Sequence, residues 1–486
     1  VSIFLITNTI VIGITVRKDE ISIMKFIGAT DAFVNAPFFI EGISIGVIGS
    51  IIPLFILRYM YTNIVDYVLG KFNILSNILA FLPANDVFNV LVPVAIVLGI
   101  GIGIVGCGTI SDVYLTNITQ HYKNLKVVAC ADMFLEKAEQ TKEKYHLPKA
   151  CTVEELLQDE EVKIVVNLTI PMAHYEINMK ALQAGKHVYC EKPLALNLEQ
   201  ANEIVKTAAE KGLMAVSAPD TFLGAGAQTC RKLIDDGAIG KPVGFTANMT
   251  CPGHELWHPA PAFYYKQGGG PMLDMGPYYM TTLVSLLGPI KKISCFAIEG
   301  RPVRTVNGQP QQTEVPTHYS GIMEFVNGAV GTVTMSFDVW DSSLPLLEIF
   351  GTDGSLSVPD PNMFCGEITA FNGKKLTDMV NSVTDPHPAK LMTMVTKKGE
   401  CKETVAPLFP ADPDPRCNMR GLGVSDMAQA LIDGRSSRLN ADLSRHVVEA
   451  LTAFEIASKK GKVYEMTTTC ERPAPMAQDA QLWEAK

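Results

Sequence analysis

The chain has 486 residues, a formal net charge of −9 at pH 7 and eleven cysteines. This length allows two or three domains, each with its own core. Acidic and basic residues are mixed along the chain, which excludes a basic stripe for phosphate backbones, so we expect no nucleic-acid partner. The cysteines form no C-x-x-C pair and no Cys/His cluster at zinc-ligand spacing, so we expect reduced thiols and no metal site.

The first hundred residues carry three long apolar runs, Val1–Val16, Phe33–Leu57 and Val87–Val105. Each approaches the length of about 20 residues that a bilayer-crossing helix needs, which favours membrane spans over buried core helices. The positive charges directly after the first run place that loop inside the cell. We therefore predict an N-terminal all-α transmembrane segment over residues 1–101 and a cytoplasmic remainder. If the segment inserts, the full chain lies in the inner or plasma membrane.

This N-terminal segment resembles a known family. Arg17–Thr30 (RKDEISIMKFIGAT) and Ala36–Gly42 (APFFIEG) are similar to the last three membrane spans of the FtsX family of cell-division permeases. The resemblance covers about Val1–Gly101 and implies a truncated member, because that family's first span and large extracellular domain are absent. Those permeases work with an ATPase, and this chain has no G-x-x-x-x-G-K-[ST] loop of its own.

The third apolar run continues without a linker into a glycine-rich turn. Ile102–Val105 is typical of a buried parallel strand, and the following G-C-G-T-I-S is typical of the dinucleotide-binding turn into a helix. Gly106 permits the tight turn, and Gly108 lets the backbone approach a pyrophosphate at the helix N-terminus. We expect the cofactor to contact Gly106, Cys107, Gly108, Thr109 and Ile110.

The strand at Ile102–Val105 conflicts with the third membrane span, because the same residues cannot lie in a water-soluble sheet and in a bilayer. Giving them to the sheet leaves a span shorter than the hydrocarbon core. This favours an abrupt fusion of two unrelated parts over an evolved membrane-tethered enzyme.

A carboxylate follows the next predicted strand, Lys126–Ala131. Asp132 stands at about the distance from the glycines that is expected of a group binding the adenosine ribose hydroxyls. Met133 follows it in place of an arginine, so a 2′-phosphate would be repelled without compensation. We therefore expect NAD rather than NADP as the cofactor.

Strands and helices then alternate as in a doubly wound parallel sheet, which predicts a Rossmann domain over residues 102–220. The strands are Lys163–Leu168, His187–Cys190 and Met214–Ser217, and the helices are Phe134–Tyr145, Ala173–Ala184 and Leu198–Lys211. Ligands bind at the carboxyl ends of the strands in such sheets. The residues expected there to contact the cofactor are Thr169, Pro171, His174, Glu191 and Lys192.

Two motifs in this region resemble one oxidoreductase family. Leu168–Tyr175 (LTIPMAHY) and Ala184–Ala195 (AGKHVYCEKPLA) are similar to the glucose–fructose oxidoreductase, inositol dehydrogenase and MocA family (Gfo/Idh/MocA), a resemblance that extends from Ile102 to about Met466. It implies hydride transfer between NAD(P) and a sugar, polyol or related substrate. It also implies that Lys192 hydrogen-bonds the reacting oxygen and that Glu191 helps to hold the nicotinamide ribose.

A second motif, Gly268–Tyr279 (GGGPMLDMGPYY), completes the expected catalytic set of Lys192, Asp274 and Tyr278. On one helix, Asp274 and Tyr278 would share a face. The family usually has a histidine where Tyr278 stands, as the general acid/base. Either Tyr278 relays the proton with Lys192 stabilising its phenolate, or it only binds substrate and Lys192 acts alone.

Aromatic and imidazole groups around residues 254–265 suit sugar rings, and from them we expect Trp257, His258 and Tyr265 to bind substrate. Half of these groups could equally serve packing. The segment Arg420–Asp426 (RGLGVSD) also resembles a family motif near the cleft, and a helix start explains it as well.

Residues 221–486 are expected to form a C-terminal α/β domain with an open, mostly antiparallel sheet. The predicted strands are Lys292–Ile298, Ser320–Phe325, Val330–Phe337, Leu346–Phe350 and Ser355–Val358, before helices near Val424–Ile432 and Arg445–Lys459. The family resemblance implies that this sheet assembles a homo-oligomer.

The leading hypothesis is therefore an NAD(P)-dependent dehydrogenase acting on CH–OH groups. The alternative is a membrane protein of the permease type whose cytoplasmic domain senses a nucleotide without turnover. The presence of Lys192, Asp274 and Tyr278 in one expected cleft favours the enzyme.

Overall fold

The computed structural model describes residues 99–384, 387–409 and 418–477. The membrane segment expected before Gly99 lies outside these ranges. Within them, no helix is both long and apolar enough to cross a membrane. Ile100 and Gly101, assigned above to the membrane segment, belong to strand β1 (Ile100–Val105) instead, so that end of the membrane prediction is wrong, while the strand predicted at Ile102–Val105 is confirmed. The reason is that β1 pairs with a strand on each side, and its side chains Ile102 and Ile104 are fully buried in the sheet.

The first sheet is parallel and six-stranded, in the order β3-β2-β1-β4-β5-β6, as the alternating pattern predicted. Its strands are β1, β2 (Leu125–Ala131), β3 (Ala150–Cys151), β4 (Ile164–Asn167), β5 (His187–Cys190) and β6 (Ala215–Ser217). The helices between them are α1 (Thr109–His121), α2 (Leu135–Tyr145), α3 (Val153–Gln158), α4 (Pro171–Gln183) and α5 (Leu198–Glu210). The strand order reverses between β1 and β4, which opens a crevice at their carboxyl ends.

The second sheet has nine strands in the order β16-β15-β14-β13-β7-β12-β11-β8-β17. Every neighbouring pair in it is antiparallel except β7 with β12, so the prediction of an open, mostly antiparallel sheet is confirmed. Its strands are β7 (Pro242–Thr250), β8 (Ile290–Ile298), β11 (His318–Phe325), β12 (Val330–Ser336), β13 (Leu347–Gly351), β14 (Gly354–Val358), β15 (Ile368–Asn372), β16 (Lys402–Val405) and β17 (Tyr464–Glu465). Strands β9 (Val303–Val306) and β10 (Gln309–Gln312) form a separate hairpin.

Among the described residues, seven α-helices follow the first sheet or lie between the strands of the second. They are α6 (Ala225–Asp235), α7 (Gly270–Asp274), α8 (Gly276–Leu287), α9 (Gly373–Asn381), α10 (Pro388–Thr396), α11 (Leu422–Asp433) and α12 (Ala441–Lys460). Helix α12 contacts β8 of the second sheet together with α5 and β6 of the first. Its buried Leu451 and Phe454 belong to the main hydrophobic core. The two sheets are thereby held against each other around the crevice.

The sequence did not predict strands β3, β7, β9, β10, β15, β16 and β17 or helices α3, α6, α9 and α10. The expectation of reduced thiols is wrong for one cysteine. Nine described cysteines are free thiols, but Cys365 is disulfide-bonded.

Candidate active site

The glycine-rich turn after β1 has the conformation that a dinucleotide requires. Gly106 adopts φ +100°, and a Cβ there would lie 2.7 Å from the backbone carbon of Leu168. Gly108 is the N-cap residue of helix α1 and has no side chain that could occupy the helix end. A Cβ on it would meet no protein atom within 4 Å. Space is thus open directly at the N-terminus of a 13-residue helix, where unpaired N–H groups favour an anion. Thr109 and Ile110 form the first turn of that helix.

Asp132 lies beside this turn, at the carboxyl end of β2. Its Oδ2 accepts the Cys107 N–H at 2.9 Å, and its Oδ1 accepts the Phe134 N–H at 3.0 Å. Met133 projects outward and is 85% exposed. The carboxylate therefore stands at the surface of the crevice, next to the glycine-rich turn.

His174 is fully buried and does not face the crevice. Its Nδ1 lies 2.7 Å from the Pro193 carbonyl oxygen, and its Nε2 lies 3.0 Å from the Thr169 carbonyl oxygen. Burial lowers the pKa of His174. The ring ties together the chain segments after β4 and β5, which favours positioning over direct cofactor contact. Thr169 and Pro171, the first residue of α4, are only partly buried at the same edge.

Glu191 and Tyr114 join the dinucleotide helix to the end of β5. The buried Glu191 carboxylate accepts the Tyr114 hydroxyl at 2.8 Å and the Lys192 backbone N–H at 2.9 Å. Tyr114 projects from α1 and is itself fully buried. Sequence reasoning missed Tyr114, because a tyrosine on a buried helix face gives no separate signal.

Lys192 meets Asp274 at the carboxyl end of β5, as the sequence predicted. The Lys192 Nζ donates to Asp274 Oδ1 at 2.8 Å and to the Asp274 backbone oxygen at 2.7 Å. A third residue joins them, since Asp274 Oδ2 lies 3.2 Å from Nε2 of His254. The Lys192 side chain keeps 17% of its surface exposed.

Lys192, Asp274 and His254 form a trio whose charges stabilise one another. Burial alone would raise the pKa of Asp274, but Lys192 and His254 lower it to about 2. Burial alone would lower the pKa of Lys192, but Asp274, Tyr278 and Glu191 raise it above its ordinary value. Burial also works against His254, but its interactions with Asp274 and Cys251 together raise its pKa to about 9. At neutral pH the trio therefore consists of one carboxylate between an ammonium and an imidazolium.

Asp274 and Tyr278 do not lie on one helix, so that prediction is wrong. Helix α7 ends at Asp274, and α8 begins at Gly276. Pro277, which has no N–H for the helical ladder, stands in the first turn of α8 and marks the restart. Both side chains nevertheless reach Lys192, whose Nζ lies 5.2 Å from the centre of the Tyr278 ring.

The cation at the Tyr278 hydroxyl is Arg420, not Lys192. Nη2 of Arg420 donates to the Tyr278 hydroxyl at 3.4 Å and to Asn362 Oδ1 at 2.9 Å. The carboxylate of Asp220 fixes the backbone that follows, accepting the N–H groups of Gly421 at 2.9 Å and Gly423 at 3.0 Å. The Arg420 segment thus reaches the site as well as starting helix α11.

The expected substrate residues divide into exposed and buried groups. Trp257 is 66% exposed, and its ring contacts His258 at 5.3 Å between centroids. Phe263 and Tyr264 extend this aromatic cluster. Tyr265 is fully buried, and its hydroxyl donates to Glu255 and accepts the His254 N–H. This placement favours a supporting role for Tyr265 over contact with substrate.

A parallel sheet with an open glycine-rich turn, facing a lysine–aspartate pair across one crevice, defines an NAD(P)-binding oxidoreductase. Comparison with known proteins agrees. A model of an oxidoreductase family with an NAD-binding Rossmann fold (Gfo/Idh/MocA) matches residues 100–218, and that family's C-terminal domain matches residues 227–357. Together they span about half of the chain, which belongs to the Gfo/Idh/MocA family.

Relatives of this chain are dehydrogenases that act on different substrates. Trans-1,2-dihydrobenzene-1,2-diol dehydrogenase from Bos taurus is 28% identical over 261 residues, 53% of this chain and 74% of the relative. Inositol 2-dehydrogenase/D-chiro-inositol 3-dehydrogenase from Lactiplantibacillus plantarum is 37% identical over 152 residues, 29% of this chain and 41% of the relative. The solved structure of levoglucosan dehydrogenase with NADH and levoglucosan shares the fold, with a TM-score of 0.63 at 19% identity, and covers 76% of this chain and 100% of its own.

The N-terminal resemblance is also found. A model of the FtsX-like permease C-terminal region matches residues 1–121 and overlaps the oxidoreductase match from residue 100 onward. In the structure, the shared residues form β1 and α1 of the Rossmann sheet.

Proposed function

We propose that the chain is an NAD-dependent dehydrogenase that oxidises a CH–OH group of a sugar, polyol or related diol, or reduces the corresponding carbonyl. The observation that carries the proposal is the position of the Lys192 ammonium. Two of the three N–H groups of its Nζ donate to oxygens of Asp274. The third remains for a substrate oxygen at the carboxyl end of β5.

The residues of the turn fit a nicotinamide dinucleotide. Gly108 and the first turn of α1 would hold its pyrophosphate, Asp132 its adenosine ribose, and Glu191 its nicotinamide ribose. When bound, the cofactor accepts or supplies the hydride. A carboxylate at Asp132 repels a 2′-phosphate, which supports NAD over NADP.

The protein's own chemical task is to hold the reacting oxygen and move its proton. In oxidation, the Lys192 ammonium first loses a proton to solvent. The substrate O–H bond then breaks and its proton passes to the resulting neutral amine while the C=O bond forms and the hydride leaves the carbon. In reduction, the Lys192 ammonium returns a proton to the oxygen. Asp274 fixes the amine, and Tyr278, with its hydroxyl against Arg420, borders the same space.

The substrate class rests on the aromatic cluster and on the relatives. Trp257 and Phe263 are exposed near the trio, and flat rings of this kind pack against the apolar faces of sugars or cyclic diols. The relatives are named for a cyclic diol and for inositols, both of which carry adjacent hydroxyls.

The test is NADH formation by the purified full-length chain with a panel of inositols, aldoses, anhydro sugars and trans-dihydrodiols. Lys192→Ala should lower kcat/KM at least about 100-fold, because the proton acceptor is lost. Lys206→Ala, on the exposed face of α5, is the matched control and should leave turnover unchanged. NAD binding with no turnover of any compound would contradict the enzyme and support the nucleotide-sensing alternative.

We further propose that the chain forms a homo-oligomer through the outer face of the second sheet. Neighbouring strands there expose a set of apolar side chains: Phe296, Ile298, Ile322 and Val330. Sedimentation of wild type and Phe296→Lys measures this, and a wild-type monomer would contradict it.

The match to an FtsX-like permease supports membrane association through residues before Gly99, with the dehydrogenase part in the cytoplasm. Membrane fractionation of the full chain tests this. Recovery of all the protein in the supernatant would contradict it.

A further inference from the structure

The aspartate that holds Lys192 also holds a histidine from a distant part of the chain. Asp274 gives Oδ1 to Lys192 at 2.8 Å and Oδ2 to His254 at 3.2 Å. His254 begins the short helix after β7, and Asp274 ends helix α7. The two partners of Asp274 therefore come from different elements of the fold.

His254 forms part of the wall of the site rather than its accessible surface. Its side chain is 7% exposed, and its ring packs against Tyr264 and Phe337, with centroids 4.1 Å and 4.4 Å away. Its backbone N–H donates to the Tyr265 hydroxyl at 2.9 Å. These contacts hold the imidazole in the orientation that directs Nε2 at Asp274.

Building on the proposed function, we propose that His254 is a positioning residue that shares the charge of Asp274 with Lys192 and so sets how readily Lys192 exchanges a proton with the substrate oxygen. When His254 is protonated, one carboxylate charge serves two cations. Each cation then holds its proton less firmly than it would beside the carboxylate alone. This is the condition that an amine needs to accept a hydroxyl proton during oxidation.

Titratable groups from three elements face the His254 ring. Asp274 comes from the end of α7, Tyr264 from the short helix at residues 261–265, and Cys251 from the end of β7. The adjacent Glu255 is paired with Arg304. His254, with its pKa of about 9, is charged at neutral pH and neutral above about pH 9. Its effect on Lys192 should therefore act at neutral pH and disappear above that value.

The first test needs neither cofactor nor substrate. It follows the His254 imidazole of the full chain by NMR as pH is raised, with the resonance assigned from His254→Gln. Coupling between two sites is reciprocal, so Lys192→Met should raise the midpoint by about one pH unit. Lys206→Met is the exposed control and should not change it. Asp274→Asn should lower it, which gives a second check if the lysine variant does not fold.

An unchanged His254 midpoint in Lys192→Met, or a wild-type midpoint near 6.5, would overturn the proposal whether or not a substrate is turned over.

The second test is the pH dependence of kcat/KM for alcohol oxidation. His254→Gln keeps an N–H donor for Asp274 but removes the charge, so the acid limb should move to higher pH by about one unit. The two profiles should converge above about pH 9. His318→Gln, on strand β11, is the control. A loss of equal size at every pH would show a structural role only. If wild type oxidises no compound, the proposed function fails, while the titration still decides the role of His254.

Discussion

Two alanine substitutions in the glycine-rich turn should separate folding from cofactor binding. In Gly106→Ala, the new Cβ would lie 2.7 Å from the backbone of Leu168, at a φ of +100° that L-residues rarely adopt. Strain of about 1–2 kcal/mol from the backbone and a similar amount from the overlap should lower the free energy of unfolding by about 3 kcal/mol. NADH binding should fall as well, because the turn is displaced.

Gly108→Ala is the matched change two residues later. Its Cβ meets no protein atom within 4 Å, so the free energy of unfolding should change by less than about 1 kcal/mol. The same Cβ fills the space that a pyrophosphate needs, so NADH affinity should fall at least about tenfold. Urea unfolding and NADH fluorescence titration measure the two quantities. A Gly108→Ala protein that binds NADH like wild type would refute the placement of the cofactor at this turn.

Three further changes test the charges. Asp132→Ser combined with Met133→Arg replaces a charge that repels a 2′-phosphate by one that attracts it. The ratio of kcat/KM for NAD over NADP should therefore shift towards NADP by on the order of tenfold or more. An unchanged ratio would contradict the role of Asp132. Asp274→Asn should cost about 2 kcal/mol of unfolding free energy at pH 7, since the pKa of Asp274 is lowered from 3.8 to about 2. That stability is present above about pH 4 and is lost as pH falls towards 2, so an equal cost measured at pH 5 checks the sign. Burial raises the pKa of Asp220 to about 6, so the free energy of unfolding of wild type should fall as pH rises from about 4 to 6. In urea unfolding, Asp220→Asn should make this dependence on pH weaker. The same dependence in both proteins would refute the assignment to Asp220.

The sequence by itself determined the features that depend on short stretches of chain. The strand, turn and helix around Gly106 follow from local periodicity and backbone freedom, and β1 begins only two residues earlier than predicted. Lys192 was found because a polar motif directly follows a buried strand, and strand ends in a parallel sheet share one edge. Helices α11 and α12 were located to within a few residues for the same local reason.

Only the tertiary structure decided which distant side chains meet. His254 contacts Asp274 across 20 residues, and Arg420 contacts Tyr278 across 142, through packing of loops that carry no periodic pattern. Tyr265 has the composition of a substrate residue, yet the fold places it inside. Hydropathy likewise could not decide where the strand begins, and residues 100–101 were given to the membrane segment, because a membrane span and a buried parallel strand both require continuous apolar side chains. Pairing of β1 with strands on both sides resolved that choice, since backbone hydrogen bonds to distant strands exist only once the sheet has formed.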